Sequence, residues 1–547
     1  MIRGGGTAAT RRRLLTVRLA VLAAAVAGGA LAWQRNAVVF DDAFISYRYA
    51  ANLVAGHGLV FNPGERVEGY TNFAWVIASA AALAGGIDPF HATRALGVIA
   101  YLAVIAACGA YVLFGARDES WRSLAPAPLL AALVLPYGLA AMAGTGMETS
   151  FLAACLLGIG LLHHAWPPRS AAGRATASLL PLLACLIRPD AALVVAASAG
   201  ATLLETWLRG ERLTRCAGTL ALRMGPAALG VLAHRLWAVS YYGDLLPNTY
   251  YAKAAELWSW AVGFAYLRAF AANSPQVWIL EALAGLGLVL GWRSAQREFV
   301  LFCLLSLLLF ATYVAKIGGD FMYYRFAFEV YPLAVCAAAV GLQQLARREP
   351  RGWLAALALA GVAAALSTTR PVLDKARGMQ SMDEMNGYAV LGGILGARLR
   401  DALPPDTIIA TTLAGTIPYY SHLVTIDQWG LGDHFVAHLP AERITYRGHA
   451  KRAPIDYLRE RGVNLQFDHP EVCPCDSPCD EDPDNAPLVF VRLPGGLCVR
   501  SRYLVETQAL TAHLCAHPDE FLLRRVTCPA DPPPTSGSRE PARSAPR

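Results

Sequence analysis

The chain has 547 residues, 55% of them hydrophobic and only 16% charged, with a formal net charge of +7. That balance excludes an ordinary soluble protein. With no stretch where basic and aromatic residues interleave, it also argues against a nucleic-acid surface, and the surplus arginine fits cytoplasmic loops of a membrane protein instead.

In chain order, Arg11-Arg12-Arg13 precedes an apolar run from Leu14 to Trp33, which reads as a retained first helix with its N-terminus inside. Apolar runs of about 16–22 residues then recur, the polytopic signature. Spans are expected near 14–33, 95–115, 124–143, 149–164, 175–188, 190–207, 217–239, 276–292, 298–316, 327–345 and 352–369. With this assignment the basic connectors Arg117 to Arg122, Arg169 to Arg174, Arg209 to Arg215, Arg293 to Arg297 and Arg347 to Arg351 all fall on the cytoplasmic side. The agreement requires that segment 73–87 lies along or re-enters the membrane without crossing it. The expected fold is therefore a polytopic α-helical membrane protein with about eleven spans. It lies in a bacterial inner (plasma) membrane, with a C-terminal extracytoplasmic α/β domain.

The outward loops hold the chemistry. Directly after the first span comes Asp41-Asp42-Ala-Phe-Ile-Ser-Tyr-Arg48-Tyr49, and then Glu65-Arg-Val-Glu68-Gly-Tyr70-Thr-Asn72. Two adjacent carboxylates beside lipid repel one another and lose hydration, so they need a cation, an arginine or a proton. Arg48, one or two helical turns on, is a local counter-charge if the segment is helical. The other outward connectors carry Glu148, Arg188-Pro-Asp190, Asp244 to Lys253 (with Asn248) and Lys316 to Arg325 (with Asp320). Acids from one loop thus face cations from others. Such a set suits glycosyl transfer from a lipid-linked sugar phosphate: a carboxylate takes the acceptor proton while cations stabilise the departing phosphate.

Beyond residue 370 the pattern changes to alternating short strands (near 406–411, 423–427 and 463–467) and a helix at 455–461. The divisions expected are 1–370 for the membrane-embedded catalytic domain (its outer loop at about 34–94), 371–528 for a Cys-rich α/β domain and 529–547 for a disordered tail. Six cysteines sit singly in apolar spans, and six crowd into the last domain, where an even number suits disulfides outside the membrane. Cys473-Pro-Cys475-Asp-Ser-Pro-Cys479 lacks a well-spaced second ligand pair for zinc.

The first outer loop, from Asp41-Asp42-Ala-Phe-Ile-Ser-Tyr-Arg to Gly56-His-Gly-Leu-Val-Phe-Asn-Pro-Gly-Glu-Arg-Val-Glu-Gly-Tyr-Thr-Asn-Phe73, resembles that of bacterial GT-C membrane glycosyltransferases. It looks most like the branch of terminal β-(1→2)-arabinofuranosyltransferases. Shorter echoes are Gly146-Met-Glu148-Thr149, Arg188-Pro-Asp190, Leu246-Pro-Asn248-Thr-Tyr-Tyr-Ala-Lys253, Gly318-Gly-Asp320-Phe-Met-Tyr-Tyr-Arg325, Ala414-Gly-Thr-Ile-Pro-Tyr419 and Ile426-Asp427-Gln-Trp-Gly430-Leu-Gly-Asp433. The resemblance spans about residues 38–450. The cysteine-rich end departs from it.

The resemblance implies a polyprenyl-phosphate-linked sugar donor, a glycan or lipid acceptor on the outer face, and inversion at the anomeric carbon. It implies a general base at Asp41 or Asp42; we take Asp41, with Asp42 as its orienting partner. Arg48, Glu68, Tyr70, Asn72, Glu148, Arg188, Asn248, Lys253, Asp320 and Arg325 are the expected substrate-binding residues. Some family members use a divalent cation (Mg, Mn or Ca); the hard-oxygen set for one here is Asp41, Asp42 and Asp320. Competing readings of the chain are a lipid-linked sugar flippase, or a GT-C enzyme acting on protein or lipid A. Against a flippase, the polar residues gather at one face and no paired broken helices appear.

Overall fold

The structure is a computed structural model that describes residues 8–115, 120–253, 260–348, 351–368, 379–441, 450–477 and 485–529. The expected boundary at 370/371 and the tail beyond 529 fall outside those residues, as does Cys479.

Among the described residues, six helices are long and apolar enough to cross a membrane: Ala8–Arg35, Pro89–Phe114, Ala191–Leu208, Thr214–Tyr242, Arg297–Ile317 and Arg325–Arg348. Thr149–Ala165, Ala171–Ile187, Gln276–Leu290 and Gly352–Leu366 are apolar but shorter, and they pack into the same bundle. Helix Phe73–Ala84 has 12 residues, which at ~1.5 Å each reach only about 18 Å of a ~30 Å hydrocarbon core. That matches the topology in which 73–87 does not cross.

One expected span is corrected. Residues 124–143 do not form a continuous helix but a chain of short turns at Trp121–Leu124, Ala127–Leu130, Ala131–Val134 and Tyr137–Met142. Pro126, Pro128 and Pro136 explain the break, since each removes a backbone donor and restricts its predecessor. The structure also adds a helix, Trp260–Asn273, between two expected spans.

The axis of the bundle is Arg325–Arg348, 94% of whose most apolar window is buried. Its alanines and Gly341 let other helices approach closely. A Cβ on Gly341 would lie 2.0 Å from the Leu283 carbonyl oxygen, so only glycine fits there.

The C-terminal domain is a mixed sheet, ordered β2-β1-β3-β6-β5-β7, with β4 paired to β6. The strands are β1 (Ile408–Thr411), β2 (Val424–Asp427), β3 (Leu465–Phe467), β4 (Val472–Pro474), β5 (Leu488–Leu493), β6 (Leu497–Tyr503) and β7 (Phe521–Arg524). The three strands and the helix expected from sequence are present, with β1 parallel to β2 and β3. The antiparallel half, β4 to β7, was hidden by the cysteine-rich composition. Its disulfides are Cys475–Cys498 and Cys515–Cys528, and Cys473 is disulfide-bonded as well. The six cysteines of the apolar half are unpaired thiols.

The two halves meet through the long loop that follows the first long helix. β2 is the edge strand, and Asn62 covers it: its side-chain oxygen accepts from Thr425 N (3.1 Å) and its amide nitrogen donates to Thr425 O (2.9 Å). That imitates one rung of a sheet and leaves the edge no longer free to pair.

Candidate active site

Helix Asp41–Val54 begins with the paired acids, and the carboxylates at its positive end are favoured by the helix dipole. The two side chains then diverge. Asp41 accepts hydrogen bonds from Gly415 N (2.9 Å), Thr416 N (2.8 Å) and Thr416 Oγ1 (2.5 Å). Gly415 is required for this contact, because a Cβ there would lie 1.8 Å from the Asp41 carbonyl oxygen. Asp42 receives no hydrogen bond or ion pair from any described residue, and it lines two chambers at once.

The wider chamber, of about 350 Å³, is walled by Arg188, Asp190, Lys253, Asp320, Arg325 and Tyr250, among others. The narrower one, about 60 Å³, lies against the α/β domain and is walled by Asp41, Tyr388, Thr412, Trp429, His469 and Gln380. Asp42, Phe321, Met322 and Leu431 belong to both. Burial and the neighbouring Asp41 push the Asp42 carboxyl up to about 6, against the opposing pull of Arg325 and Lys253. A carboxyl near 6 is matched to taking a proton at neutral pH.

The cations are not equivalent. Arg188 is held by Asp190 through two bonds (Nη2–Oδ2 2.5 Å, Nε–Oδ1 3.1 Å) and also reaches Glu148 (3.4 Å) and Glu329 (3.5 Å). Its charge is thus already met by three carboxylates. Arg325 pairs only loosely with Asp320, at 3.6 Å, and stands over the Phe326 ring. Asp320 Oδ1 accepts from the Tyr266 hydroxyl (2.8 Å). Lys253 opens onto the chamber. The segment that carries Asp320 and Arg325 is bent: Gly318, Gly319, Tyr323 and Tyr324 all have positive φ, and the two tyrosines take it at 47° and 59°. A strained non-glycine pair beside a chamber persists only where packing over-determines it, and Tyr324 is fully buried against Tyr266 and Phe270.

Several expected substrate contacts are corrected. Arg48 does not neutralise the acids. It donates to three backbone carbonyls, Phe61, Pro418 and Leu423, each at 3.0 Å. Asn248 likewise donates to the carbonyls of Gly430, Leu431 and Asp433. Glu68 is paired with Arg235 (2.9 Å), and Tyr70 is buried against Tyr49 and Tyr242. Asn72 donates to Glu148 (3.1 Å), which in turn meets Arg188, so both support the wide chamber from behind. Of the expected set, Asp42, Arg188, Lys253, Asp320 and Arg325 line the wide chamber.

Sequence reading missed Arg235 and Glu329. A signal was available, because each is a lone charge inside an apolar run and such a group needs a buried partner. Tyr388 and His469 had no comparable signal, and tertiary packing alone brings them to Asp42, whereas Trp429 stands in the Ile426 to Asp433 stretch that the resemblance had picked out.

Of the proposed divalent-cation set, Asp41 accepts from three donors, and Asp320 accepts from Tyr266 and lies beside Arg325. Asp42 and Asp320 line the same chamber, and Asp42 is flanked by Asp41 and Glu148 as well as by Arg325 and Lys253.

Together these features define a polytopic helical membrane protein whose first long loop, gripped by a C-terminal α/β domain, builds an acid-and-cation chamber. In sequence the chain is similar to the terminal β-(1→2)-arabinofuranosyltransferase of Mycobacterium tuberculosis, 28% identical over 361 residues, covering 59% of this chain and 55% of that protein. The Corynebacterium glutamicum protein of the same name is 27% identical over 366 residues, covering 58% and 50%. The resemblance read in the sequence is thereby borne out, although the chain spans about half the length of these relatives. A family model described as "Domain of unknown function (DUF8728)" matches residues 382–507. Among solved structures, ArnT from Cupriavidus metallidurans bound to undecaprenyl phosphate aligns with a TM-score of 0.49 and 14% identity, covering 89% of this chain and 99% of that one.

Proposed function

We propose that this chain is an inverting glycosyltransferase that moves a sugar from a polyprenyl-phosphate donor to a glycan or lipid acceptor on the outer face of the membrane. The observation that carries the reading is Asp42, an open carboxylate at the junction of two chambers, facing Lys253 and Arg325. The sugar phosphate occupies the wide chamber with its phosphate toward those two cations. The acceptor enters through the narrow one, where Trp429 and Tyr388 offer flat faces to a sugar. The acceptor hydroxyl attacks the anomeric carbon as its proton passes to Asp42, and the anomeric carbon–oxygen bond to phosphate breaks. Polyprenyl phosphate leaves, its charge met by Lys253 and Arg325. Asp41 positions Asp42 and raises its proton affinity. No divalent cation is needed in this scheme.

Two further features support it. An apolar cavity of about 230 Å³ is lined by Phe264, Phe270, Trp278, Phe310 and Tyr266. The Tyr266 hydroxyl reaches Asp320 of the wide chamber, so a polyprenyl tail has an adjacent greasy wall. The disulfides of the α/β domain suit an oxidising, extracytoplasmic side, in agreement with the arginine distribution that keeps the N-terminus inside. The relatives' names point to an arabinofuranosyl unit as the sugar.

The test is transfer by the purified protein in lipid, using a panel of polyprenyl-phosphate sugars and short oligosaccharide acceptors. Product with inverted anomeric configuration is expected. Donor movement across the bilayer without product would replace this reading with that of a flippase.

A further inference from the structure

Outside the two chambers, one cluster of metal-ligating side chains spans the junction between the halves of the molecule. Asp244 sits just after helix Leu213–Tyr242, at the start of the loop that carries Leu246, Pro247, Thr249, Tyr250 and Lys253 to the wide chamber. His434 and His438 lie one turn apart on helix His434–His438 of the α/β domain, so they share a face. One ligand atom from each of the three falls within 4.8 Å of the others.

The local geometry suits a transition metal. His434 Nε2 stands 3.2 Å from Asp244 Oδ2. Two donors on one tetrahedral ion, at bond lengths of ~2.0–2.2 Å, lie roughly 3.3 Å apart, so this pair is already at ligand spacing. His438 turns Nδ1 to the His434 carbonyl oxygen, 2.8 Å away. If Nδ1 carries the proton, that bond leaves Nε2 as the lone-pair nitrogen, the usual arrangement behind a metal-bound imidazole. The two imidazoles stack at 4.1 Å, and Tyr251 covers His438 at 4.4 Å, which orients the rings before any ion arrives. The three groups are partly or largely open to solvent, so an ion can enter and keep a water as fourth ligand.

We propose that Asp244, His434 and His438 form a binding site for a divalent transition metal of the zinc class. The ion fastens the loop that supplies Lys253 to the α/β domain, reinforcing the bonds Asn248 makes to Gly430, Leu431 and Asp433. It is a staple at the chamber wall and takes no part in the proposed sugar transfer, so the two readings stand or fall separately.

The experiment is titration of the metal-stripped full-length protein in detergent with Zn(II), followed by calorimetry, and with Co(II), followed by its visible absorption. One saturable Zn(II) per chain and a Co(II) spectrum of low coordination number are expected. His438→Ala and His434→Ala should each weaken binding at least ~10-fold, the minimum seen for losses even beyond the ligand shell. Zn(II) should also slow proteolysis within 243–253 in the wild type and not in the double histidine variant. Absence of saturable binding, or equal binding by wild type and both variants, would overturn the proposal; the histidines are surface residues, so the variants are expected to fold.

Discussion

Asp41 and Asp42 are neighbours on one helical turn, and they do opposite work. Asp41 turns outward to the α/β domain and is consumed by three hydrogen bonds. Asp42 turns to the chambers and keeps its oxygens open. The same division runs through the other polar residues around the chambers. Arg48 and Asn248 hold the two halves together through backbone carbonyls, whereas Lys253 and Arg325 face the chamber. A polar group beside a membrane can therefore serve as a fastener, as Arg48 and Asn248 do, or line a chamber, as Lys253 and Arg325 do.

Breaking the chamber side should have the larger effect. Asp42→Asn is expected to lower the rate of transfer by about a hundred- to ten-thousand-fold while donor binding persists, measured by initial rates and by binding of a non-transferable donor. Arg325→Met or Lys253→Met should cost on the order of a hundred-fold in kcat/KM, with part of the loss in donor binding, since each removes one cation from the departing phosphate.

The fastening side should respond in stability instead. Arg48→Met removes three buried charge-assisted bonds, although each carbonyl keeps a second donor (Asn52 Nδ2, His422 N and Thr425 Oγ1), and a loss of about 2–4 kcal/mol is expected from thermal or denaturant unfolding in detergent, with the surviving folded protein still active. Asp42→Asn carries an opposite signature. Its folded carboxyl lies near 6, above the value of 3.8 in the unfolded chain, so the folded state holds its proton more tightly. Stability from this group is full below the unfolded value and declines as pH rises towards 6. At neutral pH the asparagine variant should therefore be no less stable than wild type. Asp41→Asn is a milder change: the amide oxygen still accepts from Thr416, but the NH2 group then faces the Gly415 N–H and leaves that donor unmet, and about 1–2 kcal/mol of stability is expected to go.

Much of this division was beyond the reach of the sequence, for physical reasons. The helical half was legible because apolar run length is a local property, and the break at 124–143 was there to be read in three prolines. The first loop was legible as a dense acid and amide stretch. What each group bonds to was not, because its partners lie hundreds of residues away: Asp41 finds Thr416 and Arg48 finds Leu423. The resemblance placed the base at Asp41 or Asp42 without separating them, and the difference in their hydrogen bonding comes from packing. Tyr388 and His469 illustrate the same limit, since nothing near them in the chain speaks of Asp42.

The most direct test of Asp42 as the proton acceptor is the pH dependence of kcat/KM for wild type and Asp41→Asn. Wild type should lose activity below an inflection near 6, the value burial and Asp41 impose on Asp42. Neutralising Asp41 removes one of the charges that raise it, so the inflection should move to lower pH while activity above it survives. Loss of transfer at every pH in Asp41→Asn, with an intact inflection in Asp42→Asn, would contradict the account and return the base to Asp41.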